Sequence, residues 1–149
     1  MSDDPGLDGI LAPGGASVYR TAGGLMYIWN PAPGLFVTRV EGYLPIESVA
    51  AFEAHARRIA DEAGRIHAFH DWWDLNDYAT EARTRLTTLG REQAKLSTRT
   101  HILLRSKLVS LAVNAARIVL PNITTYAERE PFGRALRTAL QAPMPSKRP

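Results

Sequence analysis

The chain contains no cysteine. That excludes thiol nucleophiles, cysteine metal sites and disulfides together, and it fits a reducing, cytoplasmic setting. No apolar stretch approaches the roughly 20 residues that a membrane-spanning helix needs. The opening "MSDDPGLDGILAPGGAS" has neither the basic start nor the apolar run of a signal peptide. Motifs are missing as well. Without a GxSxG elbow, Ser17, Ser97, Ser106 and Ser110 have no hydrolase setting. Neither GxGxxG nor GxxxxGK occurs, so no phosphate loop is signalled, and the absence of HExxH and of EF-hand spacing leaves no metal motif. No cofactor is expected. Positive charge is in slight excess only, 18 Lys and Arg against 15 Asp and Glu. A nucleic-acid binder concentrates its charge on one face among aromatics, whereas Glu81 and Glu92 interrupt Arg83, Arg85, Arg91 and Lys95. That mixture suits a solvated helix face, and no nucleic-acid partner is expected.

What remains is an ordinary globular composition, 45% hydrophobic and 22% charged over 149 residues, enough for one domain with a real core. Residues 1–16, rich in glycine and proline, read as a mobile tail, residues 17–141 as the domain and residues 142–149 as a basic C-terminal tail. "GLMYIWN" and "LFVTRVEG", separated by "PAPG", read as an antiparallel strand pair, with "SVYR" extending or preceding the first strand. From Pro45 to Ala63 the apolar residues Ile46, Val49, Phe52, Ala56, Ile59 and Ala63 recur at steps of three and four, which predicts a helix stopped by Gly64. "RIHAFHDW" predicts a strand and then a loop. A second helix runs from about Asp77 or Thr80 to Ser97, with Ala82, Leu86, Leu89 and Leu96 inward, and Gly90 inside it points to close packing. "THILL" is a strand, "KLVSLAVNAARIVL" a third helix, "NITTYAE" a strand. A last helix runs from Pro131 to Leu140, with Phe132, Ala135, Leu136 and Ala139 inward. The order β-β-α-β-α-β-α-β-α requires right-handed crossovers, so the fold class is α/β: a single mixed, mostly parallel sheet with one antiparallel strand.

That order, together with "LFVTRVEGYL" before the first long helix, "IHAFHDWWDL" where an apolar strand ends in Asp, and "VLPNITTYAEREPFGRAL" near the end, resembles the SpoIIAA-like branch of the STAS domains. The likeness covers about Leu25 to Leu140. It implies a non-enzymatic regulatory domain that binds a protein partner, as anti-sigma factor antagonists do. In those proteins an Asp-Ser pair opens the helix after this strand, and phosphorylation of the serine switches partner binding. This chain has no serine between Ser48 and Ser97, so that switch does not carry over. Thr80 is the nearest hydroxyl, a candidate for phosphorylation or for helix capping. The structural likeness of this branch to the lipid-binding SEC14 fold implies a second role, a carrier of a small apolar or anionic ligand such as a lipid.

The densest chemistry lies in "HAFHDWWDLNDY", His67 to Tyr78. On an extended strand His67 and His70 point to opposite faces and cannot hold one ion. His70 and Asp74 would stand about 13 Å apart without a sharp bend. Asp71, Trp72, Trp73, Asp74, Asn76, Asp77 and Tyr78 fall where the carboxyl end of a parallel strand hands over to a helix, the usual place for ligands and partners in open α/β sheets. Adjacent tryptophans point to opposite sides, which puts one near the surface, and aromatic anchors with neighbouring polar groups suit a partner or ligand surface. His70, Asp71 and Asp74 would make an acid/base site only if their side chains converge. A homodimer through an edge strand or exposed aromatics is also compatible.

Overall fold

Turn chemistry and helical stripes divide the computed structural model, which describes residues 11–141, into seven strands and four α-helices. They are β1 (Ser17–Thr21), β2 (Gly24–Ala32), β3 (Leu35–Leu44), α1 (Ile46–Ala63), β4 (Ile66–Trp72), β5 (Leu75–Tyr78), α2 (Thr80–Glu92), β6 (Ser97–Leu104), α3 (Lys107–Arg117), β7 (Ile123–Tyr126) and α4 (Arg129–Gln141). The sheet order is β1-β2-β3-β4-β6-β7, with β5 paired to β3 beyond the end of β4. Both β1 and β3 lie antiparallel to β2, and all other pairings are parallel. So β2 is the one strand that runs against the rest.

Each helix is where its apolar period requires it. Val49, Phe52, Ala56, Ile59 and Ala63 of α1 are all buried, and a fully buried side chain of this kind contributes roughly 1.5–3 kcal/mol. Gly64 ends the helix at φ 79°, its N–H bonded to the Ala60 carbonyl, a left-handed cap that only glycine adopts cheaply. A second glycine constraint lies between β2 and β3. Gly24 faces Gly42, and a Cβ on either would run into the backbone carbonyl of Tyr43 or Gly23.

Alternation along the strands makes two cores. Phe36, Val40 and Leu44 join α1, α2 and α3 on one face, while Leu35 and Val37 join Phe132 and Leu136 of α4 on the other. The result is three layers, helices on both sides of the sheet.

Some boundaries differ from expectation. The second helix stops at Glu92 because the Leu96 carbonyl accepts the Ile66 N–H and Ser97 pairs with Ile66, so Leu96 is exposed instead of inward. The third helix ends at Arg117 and closes in a tight turn, with the Val119 and Leu120 N–H groups both donating to the Ala116 carbonyl before Pro121. The last helix begins at Arg129, two residues before Pro131. At the N-terminal end, Leu11 is buried against the α4 face and the Trp29 indole donates to the Ala12 carbonyl at 3.2 Å, so residues 11–16 pack with the domain. Residues 1–10 of the expected tail and the basic residues 142–149 lie outside the described residues.

Candidate functional site

Strand parity sorts the densest stretch. Ile66, Ala68, His70 and Trp72 face the side of α1 to α3, whereas Phe69 and Trp73 face α4. Register then supplies the partners. Thr38 lies opposite His70, and its Oγ1 is 2.7 Å from His70 Nδ1. Arg39 lies opposite Asp71, and its Nε donates to Asp71 Oδ2 at 3.1 Å, while Asp71 Oδ1 accepts the Trp73 backbone N–H. Burial, then the nearby His101, pushes the His70 pKa down to about 3, so this imidazole is neutral at physiological pH. Its ring stacks on Trp72 at 5.1 Å between centroids. Trp72 is itself buried, and among the described residues its Nε1–H has no acceptor.

Trp73 and Asp74 form the turn at which β4 ends and β5 begins. The Asp74 carbonyl accepts the Gly42 N–H at 2.8 Å, fixing the turn to β3. Trp73 is half-buried, with the guanidinium groups of Arg105 and Arg129 5.2 and 5.1 Å from its ring centroid, both within cation–π range. Arg105 also donates to Asp74 Oδ1 at 2.9 Å. Asn76 and Asp77 are exposed, and Tyr78 packs half-buried against the core. Thr80 is the exposed first residue of α2. Ala79 occupies the cap position and makes no side-chain cap bond, so a capping role for Thr80 falls away.

The seven residues expected to meet a partner or ligand are therefore not one surface. Trp72 belongs to the core, Asp71 ties β4 to β3, and Trp73, Asp74, Asn76 and Asp77 reach outward. His70, Asp71 and Asp74 do not converge: one is buried with Thr38, one is paired with Arg39 on the opposite face, and one is exposed with Arg105. Among the described residues no cluster of three metal-ligating side chains assembles.

Sequence reasoning missed two features. Strand β5 packs against α3, and α3 presents apolar side chains outward as well as inward. Val109 and Val113 are buried, while Leu111 is 70% exposed and Ile118, just past the helix, is 86% exposed. The signal was visible, because a helix apolar all round normally lies buried. The second is a chain of rings on the α4 face. His67 Nε2 is 2.9 Å from His101 Nε2, and His101 Nδ1 is 2.8 Å from the Tyr126 hydroxyl. Burial, then His67 and Arg99, lowers the His101 pKa to about 4. Burial and Arg99 lower that of His67, and burial raises that of Tyr126.

No family model matches the chain, and no curated protein matches it in sequence. Solved structures do. An uncharacterized protein of the DUF3478 family with a SpoIIAA-like fold, from Shewanella loihica PV-4, superposes with a TM-score of 0.57 at 15% identity, over 81% of this chain and 91% of that one. An anti-sigma factor antagonist from Mycobacterium paratuberculosis superposes with a TM-score of 0.51 at 16% identity, over 85% of this chain and 97% of that one. The fold is SpoIIAA-like. Among the described residues no helix is long and apolar enough to cross a membrane.

Proposed function

We propose that the protein is a non-enzymatic, cytoplasmic regulatory domain that holds a protein partner on the surface formed by the β4–β5 turn and the outer side of α3. The observation that carries this reading is the pair Leu111 and Ile118, 70% and 86% exposed. Apolar side chains so fully in water on one helix and its following turn mark an interaction surface. Before the first turn of α3 stand the exposed Asp74–Arg105 pair and Trp73, half-buried between two arginines, a polar rim at one end of this apolar patch. Arg105, Lys107 and Arg117 make that rim basic on balance, suiting a partner with an apolar ridge and acidic flanks. The anti-sigma factor antagonist among the similar structures supports a regulatory role. Thr80 takes the place of the missing serine as the position whose phosphorylation would alter binding.

Leu111→Glu with Ile118→Glu tests the surface. A partner that co-purifies with the wild-type protein is expected to be lost at least tenfold, with an unchanged circular dichroism spectrum. Sedimentation of both proteins separates a foreign partner from a second copy of the chain. Undiminished retention of the partner by the double variant would sink the assignment.

A further inference from the structure

Between α2, α3 and the sheet lies a cavity of about 160 Å³. Small residues border it: Ala68 on β4 and Ala112 and Ala116 on α3 leave space that larger side chains would fill, with Leu86 and Ile102 completing an apolar wall. Two polar rings line it. Trp72 is buried with its Nε1–H unmatched by any acceptor among the described residues. His70 has committed Nδ1 to Thr38, which leaves one ring nitrogen for whatever enters.

We propose that this cavity is a binding site for a small, neutral, ring-sized apolar molecule carrying one hydrogen-bond acceptor, which the Trp72 indole N–H engages. The volume sets the size. A dry apolar cavity of about 150 Å³ accommodates a benzene ring, whereas a phospholipid or a long acyl chain is far too large. The lining sets the polarity, since ionised groups are absent from the buried wall and Arg83 stands exposed at the mouth. The indole sets the acceptor. A buried N–H without a partner is costly, and a ligand carbonyl or ether removes that cost in a way that a hydrocarbon cannot. The site is independent of the partner surface on the outer side of α3.

Acetophenone and ethylbenzene, nearly equal in shape, make the test on the full-length protein, followed by the ¹H–¹⁵N cross-peaks of the three tryptophan indoles. Acetophenone is expected to move the Trp72 indole proton downfield saturably, leaving Trp29 and Trp73 in place, and to bind about tenfold more tightly than ethylbenzene. In Trp72→Phe that preference should fall to about one. If this variant does not fold, the downfield shift with the ketone and its absence with the hydrocarbon decide the matter in the wild-type protein. No saturable change with either compound up to its solubility would overturn the site. Equal affinity for the two compounds in the wild-type protein would overturn the role of the indole.

Discussion

Acid should weaken this fold through one identifiable histidine. Folding stability rises with pH wherever the unfolded chain holds more protons than the folded one. His70 titrates near 6.5 when unfolded and at about 3 when folded, so between those values the unfolded chain carries its proton and the folded chain does not. Stability therefore falls as the pH drops through that window. Well inside that window each pH unit is worth about 1.4 kcal/mol, and since the unfolded histidine is only half protonated at pH 6.5, going from there to pH 4.5 removes about 2.3 kcal/mol on account of His70 alone. The perturbation that isolates it is Thr38→Val with His70→Leu, since removing both hydrogen-bond partners leaves no orphaned polar group. Urea denaturation of both proteins at pH 7 and pH 4.5 provides the comparison. His101 and His67 remain in each, so their contribution cancels. The wild-type protein should lose about 2.5 kcal/mol more than the double variant. Equal losses would refute a neutral His70 buried against Thr38.

Other substitutions probe other levels of the structure. Gly42→Ala places a Cβ against the Gly23 carbonyl at φ 79° and should cost at least about 2 kcal/mol by thermal unfolding, from strain and displaced backbone together. Gly90→Ala meets only the end of the Leu120 side chain, at 2.9 Å, so its shift should stay within about 1 kcal/mol, the gain in helix propensity offsetting the rearrangement. Asp71→Asn weakens the tie to Arg39 and should lower unfolding free energy by about 1–2 kcal/mol in urea titration. Leu111→Glu, on a surface that makes no core contact, should change stability by no more than about 0.5 kcal/mol.

Much of the architecture was legible because burial imposes period. The stripe from Val49 to Ala63 has no other use than one face of a helix, and the single antiparallel strand follows from the turn between "GLMYIWN" and "LFVTRVEG". Strand β5 was hidden, being four residues long with Asn76 and Asp77 outward, so that it reads as a loop until β3 is seen extending past β4. At the candidate site, parity correctly sent His67 and His70 to opposite faces. The same parity extended by two residues places Trp72 with His70 in the core, where the composition of "DWWD" had suggested an interface. The His67–His101–Tyr126 chain could not be read, because it depends on the register between β4, β6 and β7, residues separated by 34 and 25 positions. The cavity was equally out of reach, since an alanine in a helix carries no sign of what fails to fill the space beside it.

That ring chain also has a direction. Two imidazole nitrogens that meet at 2.9 Å share one proton, and a neutral imidazole has one donor and one acceptor nitrogen. If His67 donates to His101, then His101 must donate on to the Tyr126 oxygen; if the Tyr126 hydroxyl donates, His101 must pass its own N–H to His67. The three side chains thus have two concerted arrangements, and a proton moved at one end reverses both bonds. What Tyr126 meets at the β7 edge is thereby felt at His67, two strands away, without any movement of the backbone.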